Sequence, residues 1–331
     1  MPSLPIIDLA PALRGDADAR LQTARLLDAS CRQYGFFYVT GHGVPIDLRE
    51  AVFAQSKAFF DLPLDTKSRW RLDNSTVMRG YDPVGWQSLQ AGMPADLKES
   101  FYLGVDRGPD DALVKAGVPN QGPNQWPDEA LAPGFRTTTQ AYAQALSRLG
   151  HQVLGLLAES LALAPDFFES YLTDPMPVLR LLHYPPPVRP LLPGQVGSGA
   201  HTDWGSVTLL AQDPVGGLQV LCDGEWLDAP FVPDSFVVNL GDLMARWSNE
   251  RWRSNLHRVL PQPAGTHRYS AAYFFDIDYH ALVSALPGCF DASNPARYPP
   301  ITAGAHIVEM YRRTTLTAPP TADSQPNPLA P

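Results

Sequence analysis

The chain has 331 residues, a net charge of −9 and no run of lysine or arginine, so it lacks the positive surface that nucleic acid or an anionic membrane requires of a partner. Its three cysteines, Cys31, Cys222 and Cys289, are odd in number and scattered, which fits neither a disulfide framework nor a thiolate metal site and reads as reduced and structural. No apolar run approaches membrane-spanning length and no basic segment precedes an apolar stretch at the N-terminus, so a cytoplasmic protein acting on a small molecule, as a monomer or weak homodimer, is expected.

In chain order, Leu4 to Leu9 reads as an early strand. Asp16 or Asp18 then caps a helix through about Tyr34, along which Leu21, Ala24, Leu27 and Cys31 repeat at helical spacing. Gly35 stops it, Phe36 to Val39 reads as a buried strand, and a second helix runs from about Asp47 to Phe60 before Pro63. His42, between glycines, is either a ligand or a turn histidine; with no carboxylate beside it, the turn is the favoured reading.

From about Asn74 to Pro133 Gly and Pro are frequent and periodicity is poor, which predicts loops with short strands. Arg79-Gly-Tyr81 and Lys98-Glu-Ser-Phe101-Tyr102 place charge beside aromatic rings, as a substrate-pocket wall would. An ordinary surface loop is the alternative. The clearest helix carries Phe135, Tyr142, Leu146, Leu149, Val153, Leu156 and Leu157 on one stripe, a pattern that supports a sheet. His151 beside it has no carboxylate nearby in sequence and reads as structural.

After Val178 the pattern changes to short alternating runs separated by turn residues. Strands are expected at 179–184, 207–211, 217–221, 225–228, 236–240, 257–260 and 268–275, with tight turns at Gly216-Gly217 and Asp223-Gly224. The fold class is mainly β with flanking helices, a double-stranded β-helix or jelly roll of the cupin kind. A closing helix is expected from Ala303 to Thr314, and the tail from Ala318 should be disordered. The expected organisation is an N-terminal region at 1–120, a β-helix region with its supporting helix at 121–317, and the tail at 318–331.

Three residues could supply chemistry together. His201 and Asp203 stand two apart, so on an extended backbone both leave one face, and His257 lies on a later apolar segment that meets them only if the chain closes on itself. Two imidazoles and one carboxylate with vacant positions opposite are the facial triad of non-haem Fe(II) oxygenases; a chance His-x-Asp is the alternative. Arg268 and Ser270 share a face of the last strand, and a guanidinium fork beside a hydroxyl suits a carboxylate. Arg180 and Tyr184 share a face on an earlier strand. A charge inside a barrel needs an anion, so Arg180 is expected to meet a cosubstrate carboxylate or the substrate unless it is solvated at the mouth.

The order His201-x-Asp203, His257, Arg268-x-Ser270 resembles the 2-oxoglutarate-dependent Fe(II) dioxygenases of the isopenicillin N synthase-like family. Pro5-Ile-Ile-Asp-Leu9, the stretch Tyr34 to Val44, and Leu179-Arg-Leu-Leu-His-Tyr-Pro185 are similar to that family as well, so the resemblance spans about Pro5 to Thr315. The run Lys115 to Pro127 is similar to a segment of bacterial members and identifies no substrate. The resemblance implies Fe(II) as cofactor, 2-oxoglutarate as cosubstrate, O2 as co-reactant and stimulation by ascorbate. It implies 2-oxoglutarate contacts from Arg268, Ser270 and Tyr184, and a substrate-stacking position at Phe274. Many plant relatives carry Asn where Leu182 stands, so one polar contact is missing here. Arg79, Tyr81, Lys98, Phe101 and Trp204 complete the candidate substrate contacts.

The implied reaction is oxidation of a C–H bond of a small metabolite, hydroxylation first, with desaturation or ring closure as variants, coupled to release of succinate and CO2. A cosubstrate-independent Fe(II) oxidase is the nearest rival, because such relatives also carry Arg-x-Ser. A zinc hydrolase lacks the His-Glu-x-x-His helix. A non-catalytic barrel that binds a small acid is the reading from another class.

Overall fold

A computed structural model describes residues 3–317; the tail expected to be disordered from Ala318 lies outside the described residues. The N-terminal elements are β1 (Ile6–Asp8), α1 (Ala10–Leu13), α2 (Ala17–Gln33), β2 (Phe36–Thr40), α3 (Ile46–Phe60) and α4 (Leu64–Lys67). Then come β3 (Gly80–Asp82), β4 (Glu99–Leu103), α5 (Ala112–Lys115) and the long α6 (Phe135–Ser160). The C-terminal half contains β5 (Val178–Tyr184), β6 (Ser198–His201), β7 (Val207–Gln212), β8 (Leu218–Cys222), β9 (Glu225–Asp228) and β10 (Phe236–Leu240). It ends with α7 (Asp242–Trp247), β11 (His257–Val259), β12 (Arg268–Phe275), β13 (Leu282–Val283), β14 (Ile301–Thr302) and α8 (Ala303–Thr317).

An eight-stranded sheet, β1-β2-β10-β7-β12-β5-β4-β3, stands against a four-stranded sheet, β6-β11-β8-β9, which is the double-stranded β-helix expected. Strands from both expected regions share the larger sheet, because β2 pairs with β10 and β4 with β5. Register assigns its two faces, since directly opposed residues project to the same side. Arg268 opposes Tyr184, Ala272 opposes Arg180, Phe274 opposes Thr208, and Asn239 opposes Thr208 in turn, so all of these face the smaller sheet. Phe101 opposes both Tyr81 and Leu181, and Leu181 opposes Ala271. These residues belong to the other face, toward the helices.

The hydrophobic core follows that division. On the helix side Leu146, Leu149, Val153 and Leu157 of α6 pack with Leu181, Leu209, Phe101 and Phe275. Gly150 lets the helix approach closely, for a Cβ there would lie 2.4 Å from the Phe275 ring. Between the sheets a second cluster joins Phe36, Tyr38, Leu182 and Ala272 to Val220 and Val259. α2 is capped as its sequence implies, with the Asp16 carboxylate accepting from Ala19 N–H. His42 is a buried turn residue whose Nδ1 accepts from Val44 N–H at 3.1 Å. His151 meets Glu169, 18 positions later, whose carboxylate lies 2.9 Å from its Nδ1. The three cysteines are buried and unpaired. No helix among the described residues is long and apolar enough to cross a membrane.

Candidate metal centre and cosubstrate pocket

His201 ends β6 and His257 begins β11, and the two oppose each other across the smaller sheet. Asp203 is not on the extended strand that its spacing suggested. β6 stops at His201, and Asp203 lies in the segment that crosses to β7 in the other sheet. The Asp203 and Trp204 carbonyls accept from Asp242 and Leu243 N–H at the start of α7, which anchors the crossing. One nitrogen from each imidazole and one Asp203 oxygen all lie within 4.8 Å of one another. Both Nε2 atoms face Asp203 Oδ1, at 3.9 Å from His201 and 3.6 Å from His257.

Neighbouring groups orient all three. His201 Nδ1 donates to the Gly199 carbonyl at 2.7 Å and His257 Nδ1 to the Asn255 carbonyl at 3.4 Å, which leaves both Nε2 lone pairs free. The His257 ring packs edge-on to Phe36. Asp203 Oδ2 accepts from Thr208 Oγ1 at 2.6 Å and Asn239 Nδ2 at 2.7 Å, so Oδ1 alone is presented to the centre. Burial pushes the Asp203 carboxyl up, but the two imidazoles and these hydrogen bonds outweigh it and hold the group below the usual carboxylate range. Thr208 and Asn239 were not found from sequence; the only signal is that each is a polar residue on the inward face of a mostly apolar strand. Asn239→Ala should weaken Fe(II) or Co(II) binding about tenfold, in keeping with the loss of a group that orients a ligand. Metal titration of the apoprotein checks this, and an unchanged affinity would show that Thr208 alone orients the carboxylate.

Arg268 is fully buried. Its acceptors are neutral, Ser270 Oγ at 3.4 Å and Gln212 Oε1 at 3.3 Å, its Nε has none, and the guanidinium lies over the Tyr184 ring, 4.7 Å from the centroid. Among the described residues no carboxylate forms an ion pair with it. A buried cation with only neutral partners is costly, and the donor set is complementary to an incoming carboxylate. The residues present therefore fit both a divalent metal and a di-acid cosubstrate.

A cavity of about 430 Å³ opens beside His201 and Asp203, with Arg180, Phe274, Trp204, Tyr102 and Arg79 in its wall, while His257, Arg268, Ser270 and Tyr184 lie outside its lining. α8 contributes Ile307, Val308 and Tyr311 to it, and Trp204 and Tyr311 meet edge to face. Arg180 is not waiting for a foreign anion alone: Asp82 Oδ2 is 3.4 Å away, and Ser100 and Gln87 accept from Nε and Nη2. Arg79 lines the cavity while its Nη atoms donate to the Val77, Met78 and Asn120 carbonyls, stapling two loops together. Asp276 was not foreseen; it lines the cavity, accepts from Ser206 N–H at 2.7 Å, and burial pushes it up to about 6.

Three expected substrate contacts do not reach the cavity. Tyr81 and Phe101 point to the helix layer, where Phe101 packs on Phe59 and Phe135 and Tyr81 donates to Glu99. Strand alternation excludes them, since their neighbours Gly80, Asp82, Ser100 and Tyr102 take the inward face. Lys98 is buried against Asp96 and Ser198.

A jelly roll that gathers two imidazoles and one carboxylate, and leaves the rest of the coordination sphere to a cavity, is the scaffold of a mononuclear non-haem iron oxygenase. Comparison with known proteins gives the family. Residues 175–277 match the model of the 2OG-Fe(II) oxygenase superfamily, and residues 4–129 that of the N-terminal region of the non-haem dioxygenase in morphine synthesis. The 2-oxoglutarate-Fe(II) type oxidoreductase hxnY of Emericella nidulans is 38% identical over 94% of this chain and 90% of its own. The 2-oxoglutarate-dependent dioxygenase citB of Monascus ruber is 42% identical over 83% of this chain and 86% of its own. Among solved structures, a full-length Neurospora crassa protein in complex with alpha-KG and thymine superposes with a TM-score of 0.83 at 32% identity, covering 94% of this chain and 97% of that one. The chain belongs to the 2OG-Fe(II) oxygenase superfamily. It is an oxidoreductase, a 2-oxoglutarate-dependent dioxygenase with Fe(II) as cofactor, and the cosubstrate-independent oxidase is set aside.

Proposed function

We propose that this dioxygenase hydroxylates a small organic metabolite, with His201, Asp203 and His257 as the iron ligands and Arg268 and Ser270 as the anchor of the distal carboxylate of 2-oxoglutarate. The buried Arg268 guanidinium, hydrogen-bonded only to neutral groups and lying on the same inward face as the donors that orient Asp203, is the observation that carries this reading. Tyr184 supports the guanidinium from its ring face. The bound iron and cosubstrate supply the oxidising power; the protein binds, orients and excludes water.

On the substrate side, Phe274 offers a face for stacking and Trp204 and α8 close the wall. Arg180, held in place by Asp82, Ser100 and Gln87, presents the remainder of its fork to an acceptor on the substrate, and Asp276 offers an acceptor for a substrate N–H or O–H. Structures of the Neurospora crassa protein hold thymine or 5-formyluracil together with alpha-KG, and a cavity of about 430 Å³ has room for a ring compound of that size here. A screen of small metabolites for succinate release with Fe(II), ascorbate and O2 tests the proposal. The expected hit gains one oxygen atom for each succinate formed. Succinate release with a desaturated or cyclised product would overturn hydroxylation, and release from no compound above the substrate-free rate would overturn the substrate class.

A further inference from the structure

β6, which carries His201, is the edge strand of the smaller sheet, and its pairing with β11 contains a bulge: His201 opposes His257, yet Ser198 opposes Val259. A bulge takes backbone groups out of the ladder and re-aims the side chain that follows. The displaced groups at Gly199 and Ala200 are met from outside the sheet. Gly199 N–H donates to Asp96 Oδ1 at 2.9 Å, and Ala200 N–H to Gln90 Oε1 at 3.4 Å. The carbonyl of the same Gly199 accepts from His201 Nδ1. A Cβ at Gly199 would lie 2.9 Å from Gln90 N and 3.2 Å from Asp96 Oδ1, so the approach requires glycine.

Asp96 does not act alone. Its other oxygen accepts from Lys98 Nζ, which also reaches Ser198 Oγ at 3.3 Å, and both charged side chains are 2% exposed. The segment leading to them contains Gln87 and Leu89, which line the cavity, and Gln87 Oε1 accepts from Arg180 while Gln87 O accepts from Asp96 N–H. One loop therefore holds the bulge beneath His201 and a wall of the substrate cavity.

We infer that Asp96 is a positioning residue, with Lys98 the counter-ion that lets its carboxylate be buried: Asp96 holds the N–H of Gly199 and so places the carbonyl of the same residue, which sets the tautomer and direction of the His201 imidazole. The inference rests on the proposed role of His201 as a metal ligand. Because a buried pair can be replaced by apolar or neutral residues with little loss of stability, the acceptor can be separated from the charge. In D96N/K98M an amide oxygen remains to accept from Gly199 N–H; in D96L/K98M no acceptor remains.

The test titrates apoprotein with Co(II) as a stand-in for Fe(II), following visible absorption and heat of binding, with melting curves in parallel. Wild type and D96N/K98M should bind Co(II) within about twofold of each other, and D96L/K98M about tenfold more weakly, the cost expected when a ligand loses its orienting group. Lys67→Met, which breaks the 2.7 Å Lys67–Glu99 pair on the helix side of the sheet, should lower the melting temperature and leave Co(II) affinity unchanged. Equal affinity in the two double variants would overturn the inference, as would a loss in Lys67→Met as large as in D96L/K98M. Should D96L/K98M fail to fold, D96A/K98M makes the same comparison with a smaller truncation. A wild-type protein that takes up no Co(II) would instead overturn the metal-ligand assignment, and the inference with it.

Discussion

Alanine in place of His201 should lower 2-oxoglutarate turnover at least about a hundredfold, more than removing a group that merely orients a ligand costs, while the fold persists. His201 lies at the edge of the cavity and is only partly buried, so its truncation leaves an opening rather than a sealed void, and the stability change should stay within about 1 kcal/mol. Asp203→Ala should abolish turnover equally but cost more. The Thr208 hydroxyl and the Asn239 amide would lose their acceptor in a buried setting, a penalty of about 1 to 3 kcal/mol. Succinate release and thermal melting of the two variants check both statements. Retained turnover in either would remove that residue from the iron, and equal melting temperatures would show that the Thr208 and Asn239 donors find other partners.

The second large effect is at Arg268. Charge-assisted hydrogen bonds contribute about 1.5 to 3 kcal/mol each, so a fork that holds a carboxylate through two of them accounts for at least two decades of affinity. Arg268→Ala should raise the 2-oxoglutarate KM on the order of a hundredfold or more with a smaller change in kcat, because the distal carboxylate is bound alike before and during reaction. Arg268→Lys should fall between, keeping the charge and losing the planar fork. KM for 2-oxoglutarate across the three proteins is the measurement. An unaltered value in Arg268→Ala would move the carboxylate to another cation, Arg180 and Arg79 being the two arginines that line the cavity.

Motif order made the class legible before any coordinates, and alternation along β12 assigned Arg268, Ser270 and Phe274 to one face as the register has them. The long apolar stripe likewise located α6 within a few residues. Other features are carried by contacts distant in sequence. β6 is only four residues long, includes a glycine and is interrupted by a bulge, so no period-two signal marks the strand that bears His201. Asp82 and Arg180, Glu169 and His151, and Asp96 and Gly199 are paired by topology, across separations that local periodicity does not span. Tyr81 and Phe101 illustrate a different limit. A charge next to an aromatic ring marks a pocket wall only if the ring faces inward, and a one-residue step along a strand reverses that face.

The most direct measurement of the central assignment is the visible spectrum of the anaerobic protein on addition of Fe(II) and then 2-oxoglutarate. Wild type should develop a weak charge-transfer band saturating at one equivalent of iron, while His201→Ala develops none. Absence of the band in wild type, or its persistence in the variant, would contradict a ferrous site built on His201, Asp203 and His257.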